Sequence, residues 1–246
     1  MTITVAQITD SHIKREVGRG DGSPDEMLRR AVSLVADARP DVLLLTGDIA
    51  DDGSTEAYQR VAKAVADLGV PVLATAGNHD RPAEVAATLG ATDEISIGGW
   101  RILLVDTSIP ATEWGRIDMA ALLRRLGPTD GPPTVLALHH PPITTSTHPW
   151  MRLEGGGELV VALSARGDVR VVLSGHLHEA FNVVVGRVSY IGCSSSFYSI
   201  KHRNNQFILD NGHVGALVLS LNLDGGFTWR RLPDPNETST VLGPFE

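Results

Sequence analysis

Five short stretches of this sequence carry histidine, aspartate and asparagine at spacings that suit metal coordination. They are Asp10-Ser11-His12, Gly47-Asp48, Gly77-Asn78-His79-Asp80, His139-His140-Pro141-Pro142 and Gly175-His176-Leu177-His178. Each stretch follows an apolar, strand-like run, so its side chains stand where a strand gives way to a turn. Imidazole nitrogens with carboxylate and amide oxygens, and no thiolate, suit manganese, iron, zinc or cobalt in a mixed shell.

Such a ligand set is useful in the hydrolysis of phosphate esters. Two metal ions roughly 3.5–4 Å apart clamp the phosphoryl oxygens and acidify a bridging water. The pair needs one carboxylate that bridges the ions, and Asp48, alone on its turn, suits that role. Asp10 and His12 lie two residues apart on extended chain, so both side chains can point to the same side. His176 and His178 repeat this geometry.

Taken singly, each stretch also has an ordinary structural explanation. Asp10 suits a turn or a helix cap, His12 a loop, and Gly47-Asp48 a turn. Taken together, chance would have to place ligand chemistry after five separate strands. The sequence therefore favours a metal site over five unrelated turns.

The bulk composition is that of an ordinary globular protein with an acidic balance. The chain has 246 residues, 42% of them hydrophobic, and a net charge of −8, which disfavours binding of a nucleic acid polymer through its phosphates. Cys193 is the only cysteine, so no intrachain disulfide is expected. We find neither a signal-like basic and apolar N-terminus nor an apolar run of about 18 residues, and so expect a cytoplasmic protein without a membrane segment.

The elements that must position the five stretches alternate in the first part of the chain. Hydrophobic spacing predicts strands at 2–9, 41–46 and 70–75, with helices at 25–38 and 54–68 between them. This is the pattern of a parallel sheet, in which sites collect at the carboxyl ends of the strands. The fold class predicted from it is α/β.

The remaining chain is predicted to be richer in strands. We expect helices at 82–89, 117–126 and 158–165, a hairpin of 94–97 with 100–105, strands at 134–138 and 169–174, and an irregular loop at 141–157. After Phe181 the pattern changes to strands at 182–185, 188–191, 206–209, 214–221 and 227–232, which predicts a second sheet packed on the first. We expect one domain over 1–232 and a C-terminal tail over 233–246.

The order of the motifs resembles that of the calcineurin-like metallophosphoesterase superfamily. Asp-x-His, Gly-Asp, Gly-Asn-His-Asp, His and Gly-His-x-His follow one another between residues 10 and 178. The stretches at 47–51, 104–108, 136–142 and 175–178 are similar to bacterial class III cyclic nucleotide phosphodiesterases. The resemblance implies a four-layer fold, in which two mixed β-sheets pack as a sandwich flanked by helices. It also implies that two copies of the chain can form a homodimer.

The resemblance further implies a ligand set and a reaction. One metal ion would be held by Asp10, His12, Asp48 and His178, and the other by Asp48, Asn78, His139 and His176. The ions would be divalent or of mixed valence, manganese and iron first, zinc or cobalt otherwise. A metal-bridging hydroxide would attack a cyclic nucleotide (3′,5′-cyclic AMP or a 2′,3′-cyclic nucleotide) or a similar small phosphodiester.

The remaining roles implied by the resemblance concern the substrate. Asn78 and His79 would contact it, and His79 would act with Asp48 in catalysis, as general acid. His140 is a further candidate for substrate contact because it follows the predicted ligand His139, and it is otherwise a packed neighbour. Trp150 and Tyr198 are weaker candidates, which could stack on a base. Two alternatives stay open: another ester, such as a glycerophosphodiester, nucleotide or phosphomonoester, and a non-catalytic scaffold on the same fold.

Overall fold

The computed structural model describes residues 2–144, 146–203, 206–210, 215–232 and 241–242. Its strands are β1 Thr2–Ile8, β2 Val42–Thr46, β3 Val72–Thr75, β4 Glu94–Ile97, β5 Trp100–Val105, β6 Gly115–Arg116, β7 Thr134–Leu138, β8 Leu153–Glu154, β9 Val169–Ser174, β10 Phe181–Val185, β11 Val188–Gly192, β12 Ser199–Arg203, β13 Gln206–Asp210, β14 Ala216–Asn222, β15 Phe227–Leu232 and β16 Val241–Leu242. Its helices are α1 Pro24–Asp37, α2 Thr55–Ala66, α3 Pro82–Leu89, α4 Met119–Leu126 and α5 Gly156–Ser164, with a 3₁₀ turn at Pro149–Met151.

Most of the strands form two mixed sheets. The first has the order β15-β14-β1-β2-β3, and the second has the order β16-β10-β11-β9-β7-β5-β4. Strands β1, β2 and β3 run parallel, as do β5, β7, β9 and β11. Two pairs lie outside these sheets, β12 with β13 and β6 with β8. The carboxyl ends of the parallel strands supply the turns that carry the predicted ligands.

Three apolar clusters define four layers. One cluster lies between the sheets and includes Ile3 and Val5 of β1 together with Ile102 of β5. A second packs the outer face of the first sheet against α1 and α2, and it contains Ala6 and Ile8 of the same strand β1. The third packs the second sheet against α4 and α5. Successive side chains of β1 thus serve opposite faces, and the predicted sandwich flanked by helices is confirmed.

The predicted assignment of strands to sheets was wrong in part. The second sheet begins with β4 and β5, well before Phe181, and β14 and β15 return to the first sheet beside β1. Thr2 pairs with Asn222, and Gln7 with Leu217. Hydrophobic periodicity reports that a segment is a strand but carries no information about a partner more than 200 residues away.

The loop predicted over 141–157 is partly ordered into elements. It contains the 3₁₀ turn and β8, and α5 already begins at Gly156. Strand β12 was missed because its five residues include only one apolar side chain, Ile200, and so show no alternation of apolar and polar residues. Of the predicted tail, 233–240 and 243–246 lie outside the described residues, and β16 pairs in parallel with β10. None of the helices in the described ranges has both the length and the apolar character needed to cross a bilayer.

Candidate metal centre

The strand ends of both sheets meet at one edge of the sandwich. The Asp10 amide donates to the Gly47 carbonyl at 3.0 Å, which joins the ends of β1 and β2. The Gly175 amide donates to the His139 carbonyl at 3.1 Å, which joins the ends of β9 and β7. Between the two sheets, the amide of His176 donates to both carboxylate oxygens of Asp10 at 3.1 Å. The predicted site therefore spans both sheets.

The backbone at this edge is locally strained. Five predicted ligands have left-handed φ angles, namely Asp10 (54°), His12 (46°), Asp48 (48°), His176 (68°) and His178 (53°). A non-glycine residue in this region costs on the order of 1 kcal/mol or more and persists only where the surrounding structure imposes it. Concentration of that cost at predicted ligands indicates that the fold holds them in place.

Four buried side chains form the first cluster: Asp10, His12, Asp48 and His178. His178 Nε2 lies 3.3 Å from Asp10 Oδ1, and His12 Nε2 lies 3.7 Å from Asp48 Oδ2. The two imidazole Nε2 atoms are 3.1 Å apart. Oxygen and nitrogen atoms from three separate turns thus lie close together.

Neighbouring acceptors fix the tautomers of both imidazoles. His178 Nδ1 lies 2.9 Å from the carbonyl oxygen of Tyr198, and His12 Nδ1 lies 3.1 Å from a carboxylate oxygen of Asp51. Each Nδ1 therefore carries the proton and donates it, which leaves a lone pair on each Nε2. Two lone pairs facing each other between carboxylates repel unless a cation lies among them, so the cluster fits a metal ion.

The second cluster contains Asp48, Asn78, His139 and His176. His139 Nε2 lies 3.5 Å from Asp48 Oδ2 and 3.2 Å from Asn78 Oδ1. His139 Nδ1 donates to the carbonyl of Thr46 at 2.9 Å, so its Nε2 also presents a lone pair to acceptors. The oxygen Asp48 Oδ2 faces both clusters, as a bridging carboxylate must.

Two further contacts orient ligands of the second cluster. His176 Nε2 donates to the Trp150 carbonyl at 3.0 Å, which leaves a lone pair on Nδ1 that could coordinate an ion. The Asn78 amide nitrogen donates to Glu113 Oε2 at 2.9 Å, so Asn78 turns its oxygen toward His139. Sequence reasoning assigned no role to Glu113, because it lies 35 positions from Asn78 and outside every motif.

Without metal, the two clusters share protons. Burial opposes ionisation of Asp48, but His139 and His12 hold the pKa of that carboxyl well below its usual range. Burial alone would lower the pKa of His139, but the carboxylates of Asp48 and Asp10 raise it to about 9. Burial and the charge on His139 lower the pKa of His176 to about 3. Protons and metal ions would therefore compete for the same donor atoms.

His79 lies at the rim of the site, in the turn after β3, and it is more exposed than the adjacent Asn78. Its Nδ1 lies 3.0 Å from the carbonyl oxygen of Asp51 and 3.7 Å from the carboxylate of the same residue. This leaves Nε2 for another partner. Asp51 also contacts His12, and sequence reasoning gave it no role.

His140 has different hydrogen-bond partners from its neighbour His139. It is fully buried, its Nδ1 lies 2.8 Å from the Thr107 hydroxyl, and its Nε2 donates to the Glu113 carbonyl at 3.2 Å. Both ring nitrogens are engaged, which argues against the predicted contact between His140 and substrate. The ring instead packs on His139 and His176, with centroid distances of 4.8 and 4.5 Å.

A buried carboxylate holds the turns after β2 and β3 together. Asp80 accepts hydrogen bonds from the amides of Ile49, Ala50 and Gly77, and from the Tyr58 hydroxyl at 3.1 Å. These bonds fix Asp48 and Asn78 relative to each other through the backbone. Asp80 belonged to the motif quoted above, and its partner Tyr58, on α2, was not foreseen.

Five of the seven predicted ligands and His79 line one small cavity. Its volume is about 200 Å³, and the five ligands in its lining are His12, Asp48, Asn78, His176 and His178. The rest of the lining includes residues of the 3₁₀ turn and of the pair β12 and β13. Four of the five turns expected to carry ligands therefore line a space that a small molecule can enter, and His139 of the fifth contacts the lining residues Asp48 and Asn78.

Comparison with known proteins identifies the family. A family model described as calcineurin-like phosphoesterase matches residues 3–180. The chain therefore belongs to the calcineurin-like phosphoesterase family. A probable cyclic nucleotide phosphodiesterase of Synechococcus is 35% identical, over 94% of this chain and 91% of the relative. The 3′,5′-cyclic adenosine monophosphate phosphodiesterase CpdA of Pseudomonas aeruginosa is 29% identical, over 98% of this chain and 89% of the relative.

Solved structures of low sequence identity share the fold. A dimetal phosphatase from Danio rerio superposes with a TM-score of 0.59 at 15% identity, over 88% of this chain and 98% of that protein. At this identity the likeness concerns the fold alone. The predicted membership of the metallophosphoesterase superfamily is confirmed by the family model and by the relatives together.

Proposed function

We propose that this protein hydrolyses cyclic nucleotides or similar small phosphodiesters with two bound metal ions. The observation that carries the proposal is the convergence of acceptor atoms. Imidazole lone pairs fixed by Tyr198, Asp51 and Thr46 face carboxylate and amide oxygens across distances of 3.2 to 3.7 Å. Metal cations would satisfy these acceptor atoms.

The ligands divide into two sets that share one side chain. Asp10, His12, Asp48 and His178 would hold one ion, and Asp48, Asn78, His139 and His176 the other. Nitrogen and oxygen donors without sulfur favour manganese or iron, with zinc or cobalt as alternatives. When bound, such a pair neutralises charge on the phosphoryl oxygens and supplies a nucleophile from water at neutral pH.

The chain itself supplies orientation and a proton. His79 is held through Nδ1 by Asp51, and its Nε2 is the atom that can protonate the leaving alkoxide. Asn78 is fixed by Glu113, so its oxygen stays directed at the second cluster while substrate enters.

The size of the site and the relatives support a small diester. A cavity of about 200 Å³ can admit the phosphodiester part of a small molecule and cannot admit a folded macromolecule. The net charge of −8 disfavours a nucleic acid polymer. The full-length relatives named above carry names that specify cyclic nucleotides. A scaffold would have no physical need for six buried ligand-type side chains, five of them in strained turns.

The test is phosphate-ester turnover by metal-stripped protein reloaded with Mn²⁺. We would compare 3′,5′-cyclic AMP, 2′,3′-cyclic AMP, an aryl diester and an aryl monoester, with Asn78→Ala as the control variant. Preference for a cyclic nucleotide is expected. Turnover of the aryl monoester alone would contradict a phosphodiesterase, and failure to turn over any ester would support the scaffold. The implied homodimer stays a prediction, which light scattering can test.

A further inference from the structure

The cavity has two ends of different chemistry. Ligand-type side chains line one end, and the other is lined by Trp150, Met151, Tyr198, Ile200 and Phe207. Three of these five side chains are aromatic, although Phe, Trp and Tyr make up only 5% of the chain. A phosphate ester that binds the first end must present its remaining groups to this aromatic and aliphatic wall.

Contacts within the wall bring two separate segments together. The rings of Trp150 and Phe207 are nearly parallel, at an angle of 25° and a centroid distance of 6.3 Å. His148 contacts both rings, with centroid distances of 4.9 and 4.8 Å. Trp150 belongs to the 3₁₀ turn and Phe207 to β13, so these rings join the two segments that bound the cavity opposite the ligands.

A hydrogen bond from the predicted ligand His176 holds the backbone of Trp150. Its carbonyl oxygen accepts the His176 Nε2–H at 3.0 Å, so the residue that orients a predicted ligand also carries the indole. The side chain nevertheless remains 47% exposed, which leaves indole surface free to contact a bound molecule. A rigid, partly exposed aromatic ring binds flat ligands at low cost in conformational entropy.

The cavity is too small to enclose a whole nucleotide. Pockets that bury most of a drug-sized ligand measure roughly 300 Å³ or more, and this one measures about 200 Å³. With the phosphate at the ligand end, the ribose fills the rest and the base must extend to the mouth. Trp150 and Phe207 lie on the wall that the base then reaches.

We propose that Trp150 and Phe207 form a subsite that stacks on the nucleobase of the substrate. The identity of this ligand rests on the proposed function, whereas the aromatic wall is a feature of the structure. Base stacking tolerates different bases because each presents a π-face. The subsite thus selects nucleotides over diesters that lack an aromatic group, without selecting one base.

The proposal is tested by binding, with no turnover required. Calorimetry on Mn²⁺-loaded protein would compare AMP with ribose 5-phosphate, which lacks the base. The wild type is expected to bind AMP about tenfold more tightly or better, since stacking of one base is worth roughly 1–3 kcal/mol. Trp150→Ala should reduce this ratio to near one and leave ribose 5-phosphate unaffected, because the backbone carbonyl that holds His176 remains.

Three further variants serve as controls. Trp150→Phe keeps an aromatic face and should retain most of the preference. Phe207→Leu keeps apolar bulk without a ring and should lose part of it. Leu209→Ala changes a side chain of the same strand that is 69% exposed, and it should behave as the wild type.

Two results would overturn the subsite. One is a wild type that binds AMP and ribose 5-phosphate equally, and the other is a Trp150→Ala variant that weakens both ligands alike. The proposed function fails separately, if the protein shows the AMP preference but hydrolyses no phosphodiester. Hydrolysis of cyclic AMP without any AMP preference would retain the function and remove the subsite.

Discussion

The two ends of the cavity are built by different parts of the fold. The ligand end comes from turns after β1, β2, β3, β7 and β9, all anchored in the two sheets. The aromatic end comes from a 3₁₀ turn and from the pair β12 and β13, which lies outside both sheets. On the proposed function, metal binding and hydrolysis would thus rest on turns anchored in the sheets, and selection among substrates would rest on elements that lie outside them.

The largest effect is expected at the ligand end, at the side chain that both clusters share. Asp48→Ala removes the oxygen that faces His12 and His139, so it should abolish paired metal binding and reduce turnover by about 10³-fold or more. Metal content by atomic emission, measured beside the rate, checks this. A variant that kept two ions and full activity would contradict the proposed role of Asp48.

The next effect separates chemistry from metal binding within the same end. His79→Ala should retain both ions, because His79 is in neither ligand set, and should lose roughly 10²–10⁴-fold in turnover with a poor leaving group. An activated aryl diester, whose leaving group needs no proton, should lose much less. Equal losses for both substrates would argue against proton donation by His79.

A smaller effect is expected where a loop orients a ligand. Glu113→Ala removes the acceptor that fixes the Asn78 amide, and such losses typically weaken metal binding by about 10–100-fold. Glu113→Gln keeps an oxygen acceptor and should cost far less. Titration of metal-free protein with Mn²⁺ measures both variants. If the two bind the ion equally poorly, the negative charge of Glu113, and not its hydrogen bond, is what matters.

The smallest effect lies outside both ends of the cavity. Tyr190 is buried on β11, burial raises its pKa to about 12, and its hydroxyl has no hydrogen-bond partner within the described part of the chain. Tyr190→Phe removes this unpaired group and should raise the free energy of unfolding by about 1 kcal/mol at pH 7.

The pH dependence of that variant follows from the direction of the shift. Unfolded tyrosine loses its proton near pH 10, whereas Tyr190 in the folded chain loses it only near 12. Stability that is present below pH 10 is therefore lost between pH 10 and 12, because ionisation favours the unfolded chain. Urea unfolding at pH 7 and pH 11 should show a larger gain for Tyr190→Phe at pH 11. A gain independent of pH would contradict the buried position.

The sequence predicted those features that depend on neighbours along the chain. The predicted helix at 25–38 is α1, which Ser23 caps ahead of Pro24, and the predicted hairpin is β4 with β5, because caps and tight turns are local. The ligand turns were found for the same reason, since each combines a strand and a motif within a few residues.

Features that depend on distant partners were missed. The pairing of β14 with β1 and the contacts of Glu113 with Asn78 and of Tyr58 with Asp80 each join residues more than 20 positions apart. For His140, distant partners had the opposite effect, because they argue against a contact that the sequence suggested. Its sequence position beside His139 indicated the cavity, but Thr107 and Glu113 engage both of its ring nitrogens.

The turns of the ligand end also depend on two glycines, at positions where any side chain would collide with a neighbour. A β-carbon at Gly77 would collide with the Asp48 carboxylate, and one at Gly175 would collide with Thr9 and with the Asp10 carboxylate. In a saturation mutagenesis screen these glycines should therefore be as intolerant as the ligands themselves, although no atom of theirs would bind an ion. A laboratory selection for new substrates would then find its permissive positions at the mouth and almost none along the strand ends.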